Sequence, residues 1–267
     1  MSIVRVDGAD IWYDVQGSGE PVMTVGGDIM AHDQFLYVFT ALVKRHTVIS
    51  WDFRNIGASE RLPESKLEFS IDRKVEDMKA VLDAAGSERA HIWSVATGSF
   101  TAITFAARYP ERVASLIHYG QCAPTPGGMK MFEILQKVHD TYDWPTTCEH
   151  MVHLFAPDAA YMAWTIPIYV KNADHSWMKQ YLCELQADIR DDLRATVCPM
   201  LVMLGDRGPL GSKSSYGSGW QLSQECRPDT ELSIVEGGTG TYYMVDAADR
   251  AAEQAMAFFA RHPIAAA

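Results

Sequence analysis

Short apolar runs alternate with amphipathic segments along most of the chain. Residues 33–44, 71–85 and 97–108 place apolar side chains at helical spacing. Apolar runs with the length of buried strands lie at 21–25, 46–51, 90–95, 113–119, 199–205 and 231–236. Buried strands that alternate with helices of about 10–15 residues predict a parallel sheet with helices on both faces. Alternating apolar and polar residues over 2–16 predict a hairpin at an antiparallel edge of that sheet.

The stretch 124–195 breaks this alternation. It contains many aromatic and methionine side chains and no strand bounded by glycines. We interpret it as a helical lid inserted over the carboxyl end of the sheet, with residues 1–123 and 196–267 forming the α/β core. A lid rich in aromatic residues and methionine favours an apolar pocket, so the expected partner is a hydrophobic small molecule.

Charge and composition argue against several classes of protein. The 267 residues carry a formal net charge of −11 at pH 7, which disfavours binding to nucleic acid or to an anionic membrane. No apolar run approaches the ~18–20 residues of a membrane span, and the first residues do not resemble a signal peptide. The five cysteines are widely spread and form no disulfide framework, so we expect a cytoplasmic protein.

No motif in the sequence indicates a cofactor or a metal. The turns between strands and helices contain neither Gly-x-Gly-x-x-Gly nor a phosphate-binding loop. In the insertion, His139, His150, His153 and His175 lack the spacing of metal ligands with a third ligand. We therefore expect no cofactor and no metal site. The oligomeric state stays open, with a homodimer as one alternative.

Four segments resemble the α/β-hydrolase superfamily and together span nearly the whole chain. Residues 51–59 resemble its Asp-x-Arg-Gly-x-Gly-x-Ser turn, with Asn55 where glycine is usual. Residues 105–113 resemble the end of a helix and the next strand, 199–206 the seventh strand, and 255–259 the final helix. The segments occur in the family's order. The resemblance implies the α/β-hydrolase fold, a mostly parallel eight-stranded sheet with helices on both faces and a helical lid.

The resemblance also implies a catalytic triad of serine, acid and histidine, with the serine at a Gly-x-Ser-x-Gly elbow. In this chain the elbow is residues 94–98 and its nucleophile position holds Ala96. Pro110 lies 110 − 96 = 14 residues later, the family's usual spacing to this proline. The acid position falls on Gly208 and the histidine position on Thr241. A methyl group cannot attack an ester and neither other residue can relay a proton, so we expect no triad hydrolysis.

A pocket able to bind a carbonyl or an oxyanion does not require the triad. By the same resemblance, the oxyanion hole uses the amide of Thr97 and an amide of Gly27 or Asp28. The predicted substrate-binding residues are Gly27, Trp93, Ala96, Thr97, Cys122 and Thr241.

Three side chains are candidates for proton transfer: Asp28, His32 and Tyr242. A histidine beside two carboxylates can serve as a general base, and a tyrosine hydroxyl can hydrogen-bond a substrate oxygen. Structural alternatives stay open for most of these candidates. Asp33 can cap the next helix with His32 in solvent, Trp93 and Tyr242 can pack as core aromatics, and Cys122 can be a core or pocket thiol.

These observations favour a non-hydrolytic enzyme, a cyclase, dehydratase or other lyase-type catalyst, acting on a hydrophobic biosynthetic intermediate. Two alternatives stay open. One is a catalytically inactive ligand-binding or scaffold protein of hydrolase fold. The other is residual hydrolysis without the triad.

Overall fold

A computed structural model describes residues 1–155, 159–207 and 217–264 of the chain. These residues form one eight-stranded sheet in the order β1-β2-β4-β3-β5-β6-β7-β8. The strands are β1 (Ser2–Val6), β2 (Ala9–Gly17), β3 (Glu20–Val25), β4 (His46–Trp51), β5 (Ala90–Ser94), β6 (Val113–His118), β7 (Met200–Arg207) and β8 (Glu231–Thr239). Strand β2 is antiparallel to β1 and β4, and the pairings from β4 to β8 are parallel. The predicted parallel sheet and its antiparallel edge hairpin are confirmed.

Helices follow most of the parallel strands. They are α1 (Leu36–Leu42), α2 (Ile71–Ala84), α3 (Gly98–Arg108), α4 (Pro126–Thr141), α5 (Trp144–Phe155), α6 (Ala159–Asn172), α7 (Trp177–Gln186), α8 (Arg190–Ala195), α9 (Gly217–Cys226), α10 (Tyr243–Asp246) and α11 (Ala248–Ala260). Short 3₁₀ helices occupy Asp28–Phe35, Glu64–Lys66, Pro110–Arg112 and Gly240–Tyr242. Helix α2 shows how the local sequence determines an element. Its N-cap residue is Ser70, whose side chain accepts a hydrogen bond from the Arg73 amide, and the apolar stripe of the helix is buried.

The sheet separates two buried apolar clusters. Successive strand side chains point to opposite faces, so Ile92 and Trp93 of β5 belong to different clusters. Trp93 packs with Phe35, which directly precedes α1, and with Phe259 of α11, in a cluster that includes other residues of both helices. Ile92 packs in the cluster that includes α2 and α3. The carboxyl ends of β3 and β5 are neighbours in the sheet, and the side chains of β5 are buried on both faces.

The five helices α4–α8 lie between β6 and β7, and we call residues 126–195 the insert. Buried aromatic and sulfur-containing side chains of the insert belong to the same cluster as α2 and α3. A buried ion pair between Lys74 of α2 and Glu184 of α7 also ties the insert to the core. Within residues 1–155, 159–207 and 217–264, no helix combines the length and apolar character needed to cross a membrane.

Candidate active site

The turn between β5 and α3 is a sharp elbow. Ala96 at its apex has φ of 45°, in the left-handed region that side chains other than glycine rarely adopt. Two short backbone hydrogen bonds close the turn, from the Gly98 amide to the Val95 carbonyl and from the Ser99 amide to the Ala96 carbonyl. A non-glycine residue held in this region costs of order 1–3 kcal/mol, so the surrounding structure must impose the conformation.

Glycines that follow β3 and begin α3 approach this elbow closely. A Cβ atom on Gly27 would lie 2.6 Å from the Ala96 Cβ atom and 2.9 Å from the Thr97 nitrogen. A Cβ atom on Gly98 would lie 2.5 Å from the Gly26 carbonyl oxygen. Both positions therefore admit only glycine without a backbone shift. Three of the predicted substrate-binding residues, Gly27, Ala96 and Thr97, are brought into contact here.

The amide of Gly27 already has a partner inside the protein. It donates a hydrogen bond of 2.9 Å to the Oε1 atom of Gln34, whose side chain is 3% exposed. A substrate oxygen would have to displace this carboxamide to use the Gly27 amide. Sequence reasoning missed Gln34, because no motif marks a glutamine that folds back onto a backbone amide seven residues earlier.

His32 lies against a buried carboxylate at the end of β4. Its Nδ1 atom is 2.8 and 2.9 Å from the two carboxylate oxygens of Asp52, and its backbone amide donates to the same group at 2.8 Å. Since an ionised carboxylate only accepts, Nδ1 carries the proton. The ring of Trp12 lies 4.3 Å away, centroid to centroid.

The surroundings of His32 favour its charged form. Burial opposes the charge, but the hydrogen bond to Asp52 and the negative charges of Asp52 and Asp33 outweigh it, so the pKa of His32 is raised. A general base at neutral pH needs an unprotonated ring. The environment therefore shifts His32 towards its charged form, and its role as a general base stays a prediction.

Asp52 also organises the turn that follows β4. It accepts the Ala58 amide at 2.8 Å, and Gly57, with φ of 60°, approaches it so closely that a Cβ atom there would strike the carboxylate. The residue acts mainly as a buried acceptor for this turn, and His32 belongs to the same arrangement.

Asp33 does not cap a helix as the alternative expected. Neither the 3₁₀ helix at Asp28–Phe35 nor α1 has a side-chain cap. The carboxylate instead accepts a hydrogen bond of 3.2 Å from Asn172 of α6. This contact joins the insert to the segment after β3. The side chain of Asp28, the third predicted catalytic residue, lies outside what the structure describes.

Tyr242 lies between the turn after β8 and the insert. Its hydroxyl is 3.1 Å from the hydroxyl of Tyr169 on α6, and both side chains are buried. The end of β7 packs closely on the same turn, since a Cβ atom on Gly205 would lie 2.8 Å from the Gly240 nitrogen. The paired phenols can exchange a proton with one another. Gly208 and the side chain of Thr241 lie outside the described residues.

Trp93 and Cys122 are both fully buried. The indole nitrogen of Trp93 donates to the Tyr243 hydroxyl at 3.3 Å, within the cluster on the α1 and α11 side of the sheet. This placement favours the core-packing alternative for Trp93. Burial raises the pKa of the Cys122 thiol to about 12, with smaller contributions from Cys226 and Asp188. The thiol therefore stays protonated, which disfavours it as a nucleophile.

The candidate residues thus fall into separate groups. The elbow collects Gly27, Ala96 and Thr97, while His32 sits with Asp52 and Tyr242 with Tyr169. The two partners Asp52 and Tyr169 were not predicted as site residues. Asp52 lies in the turn motif that carried the family resemblance, whereas Tyr169 had no signal beyond belonging to an aromatic-rich insertion.

The eight-stranded sheet and the elbow after β5 are those expected of an α/β hydrolase, and comparison with known proteins agrees with this class. The model of the alpha/beta hydrolase fold family matches residues 20–226. The chain belongs to this family.

Two curated relatives match part of the chain. It is 33% identical over 131 residues to a protein of Azorhizobium caulinodans named as the carbamate hydrolase RutD, a match that covers 49% of this chain and 48% of the relative. It is 28% identical over 116 residues to the cis-3-alkyl-4-alkyloxetan-2-one decarboxylase of Shewanella oneidensis, covering 42% and 35% respectively. The chain therefore spans about half of the first relative and about a third of the second.

Solved structures match over nearly the whole length. An esterase from Exiguobacterium antarcticum superposes with a TM-score of 0.83 and 18% identity, covering 96% of this chain and 97% of the other. At this identity the likeness concerns the fold alone.

Proposed function

We propose that this protein is a non-hydrolytic enzyme of α/β-hydrolase fold that converts a hydrophobic carbonyl compound at the β5–α3 elbow. The observation that carries the proposal is the elbow itself. Ala96 keeps φ of 45°, and Gly27 and Gly98 keep the close approaches that hold the turn. The strained geometry is present although the residue at its apex has no group that can attack a substrate.

Loss of the triad is part of the proposal. The family resemblance aligns Ala96, Gly208 and Thr241 with the serine, the acid and the histidine. Ala96 cannot attack a substrate to form an acyl-enzyme, and neither Gly208 nor Thr241 can relay a proton as the acid and the histidine do. By the family resemblance, the elbow supplies the Thr97 amide at the amino-terminal end of α3, where the helix dipole also favours negative charge on a carbonyl oxygen.

Proton transfer in this proposal falls to Tyr242. Its hydroxyl is paired with Tyr169 at 3.1 Å, next to the turn where the family's histidine is expected. Tyr242 can donate its proton to one atom of the substrate and take a proton back from another atom in the same turnover, while the hydrogen bond with Tyr169 stabilises the intervening phenolate. This chemistry suits a cyclisation, a dehydration or another lyase-type step, in which a bond forms or breaks without water entering the product.

The two curated relatives bear differently on this proposal. The name of the Shewanella oneidensis relative is that of a decarboxylase, which is lyase-type chemistry in a protein that shares part of this sequence. The name of the Azorhizobium caulinodans relative is that of a hydrolase. A substrate with a strained or activated carbonyl is compatible with both.

A second candidate function is ligand binding without turnover. The hydrogen bond from the Gly27 amide to Gln34 favours it, because that bond occupies one of the two amides, Gly27 or Asp28, that the family resemblance offers as the second oxyanion donor. A protein that only held its ligand would need neither that donor nor a proton-transfer group.

Turnover separates the two candidates. Metabolite extract incubated with catalytic amounts of protein is analysed by mass spectrometry against extract alone. We expect one mass to be depleted by many equivalents with a new mass appearing. Depletion of at most one equivalent without product would instead support ligand binding.

Two variants test whether Tyr242 takes part in the reaction. Tyr242→Phe should lower turnover at least about tenfold, in line with the contribution of general acid–base groups. The matched control is Tyr142→Phe, since Tyr142 is 49% exposed in the insert and should leave turnover unchanged. Equal turnover in both variants would remove Tyr242 from the proposal. Labelling of a serine by a fluorophosphonate, with hydrolysis of aryl esters, would replace the proposal by residual hydrolysis.

A further inference from the structure

Two histidines of the insert face each other across helices that are distant in sequence. His139 lies near the end of α4, and His175 lies in the turn between α6 and α7. The Nε2 atom of His139 is 2.9 Å from the Nδ1 atom of His175, and the ring planes are inclined by 77°. Two imidazole nitrogens therefore converge on one small volume at the edge of the insert.

This separation is close to that of two ligands on one metal ion. Imidazole nitrogens bind Zn²⁺ at about 2.0–2.1 Å in tetrahedral geometry, which sets them roughly 3.3 Å apart. Moving the rings apart by a few tenths of an ångström, with the proton of His175 moved from Nδ1 to Nε2, would admit the ion. Both histidines are on the outer part of the insert, where such an adjustment needs no change in the sheet.

The side chains around His139 favour its Nε2 atom as a metal ligand. Its Nδ1 atom is 3.2 Å from the Asp140 carboxylate, which is held by Gln136 at 2.7 Å. A carboxylate that accepts the Nδ1 proton leaves the lone pair on Nε2, the atom that faces His175. The ring of Trp144 packs beside His175 at 5.6 Å between centroids and restricts its rotation.

We propose that His139 and His175 chelate one Zn²⁺ ion, which ties α4 to the turn between α6 and α7. Among the residues that the structure describes, no His, Cys, Asp or Glu completes a set of three protein ligands, so water fills the other positions. Spacing along the sequence excluded a three-ligand site, and this two-histidine chelate is a different arrangement. It is independent of the function proposed for the elbow.

Calorimetric titration of Zn²⁺ into EDTA-treated protein tests the proposal. We expect one equivalent to bind to the wild type, with affinity lowered at least about tenfold in His139→Ala and in His175→Ala, and no further in the double variant. Asp140→Asn should weaken binding about tenfold through its effect on His139. Mg²⁺ should not bind, because hard cations prefer oxygen ligands.

The matched control is His153→Ala, which removes a 52% exposed histidine of α5 that lies outside the pair. It should bind Zn²⁺ like the wild type, and circular dichroism should show the same fold in every variant. The five cysteines are unchanged throughout, so zinc bound to thiols would be equal in all of the proteins. Binding that is absent, or that the two histidine variants do not weaken, would reduce the pair to an imidazole–imidazole hydrogen bond.

Discussion

The elbow after β5 and the turn after β4 are built from different chemical groups. The elbow is built from glycines and Ala96, and its chemical groups are backbone amides. The turn after β4 begins at Asp52, whose carboxylate pairs with His32, one of the predicted catalytic residues. That ion pair is engaged in holding the turn. The comparison teaches that a buried carboxylate beside a histidine can have a structural role in a turn.

Replacing Gly27 by alanine should produce the largest effect. The new Cβ atom would strike the Val95 carbonyl and lie 2.6 Å from the Ala96 Cβ atom, both parts of a rigid elbow. We expect the free energy of unfolding to fall by about 3 kcal/mol in chemical denaturation. Gly86→Ala is the control: space around it is open, so only backbone strain of about 1 kcal/mol applies. Equal losses in both variants would mean that the elbow tolerates a side chain at Gly27.

Asp52→Asn should have the next largest effect. It removes the buried acceptor that serves the His32 ring, the His32 amide and the Ala58 amide. We expect a loss of about 2–3 kcal/mol in the free energy of unfolding. Asp191→Asn, at a 98% exposed carboxylate, should stay within about 0.5 kcal/mol of the wild type. If Asp52→Asn instead abolished turnover of the converted compound without loss of stability, the ion pair would belong to the active site.

Ala96→Gly should stabilise the protein, because glycine adopts positive φ without strain. Relief of that strain, less the greater freedom of glycine in the unfolded chain, gives an expected gain of about 0.5–1 kcal/mol. Ala107→Gly, in the last turn of α3, should destabilise by about 1 kcal/mol or less. A loss of stability in Ala96→Gly would show that the elbow does not strain its apex.

The pH dependence of His32 gives the smallest effect. Because its pKa is raised in the folded protein, its ion pair stabilises the fold fully below the ordinary histidine pKa of about 6.5. That contribution is lost as the pH rises through the raised value. Titration of the ring by NMR should show the raised pKa in the wild type and a lower one in Asp52→Asn. An unshifted wild-type ring would contradict the ion pair.

Much of the fold could be predicted because strands and helices follow local periodicity. The helix expected over 33–44 shows the limit: the structure forms a 3₁₀ helix at Asp28–Phe35 before α1 begins at Leu36. Ala31 interrupts that helix with φ of 56°. Such a conformation is imposed by the close packing of Gly26 and Gly57 around Ala31, which periodicity does not record.

The site could be predicted from the sequence only where its residues lie at the ends of neighbouring strands. The contact of Gly27 with Ala96 follows from the position of both at the ends of neighbouring parallel strands. Gln34, Tyr169 and the pair of His139 and His175 depend on how separate segments pack. His139 and His175 are 175 − 139 = 36 residues apart, so no spacing rule links them.

The most direct test of non-hydrolytic chemistry is to run the conversion of the depleted compound in oxygen-18 water and to measure the mass of the product by mass spectrometry. Our proposal predicts that the reaction incorporates no oxygen-18 from the solvent into the product. A product that gains one solvent oxygen per turnover would identify a hydrolase and contradict the proposal.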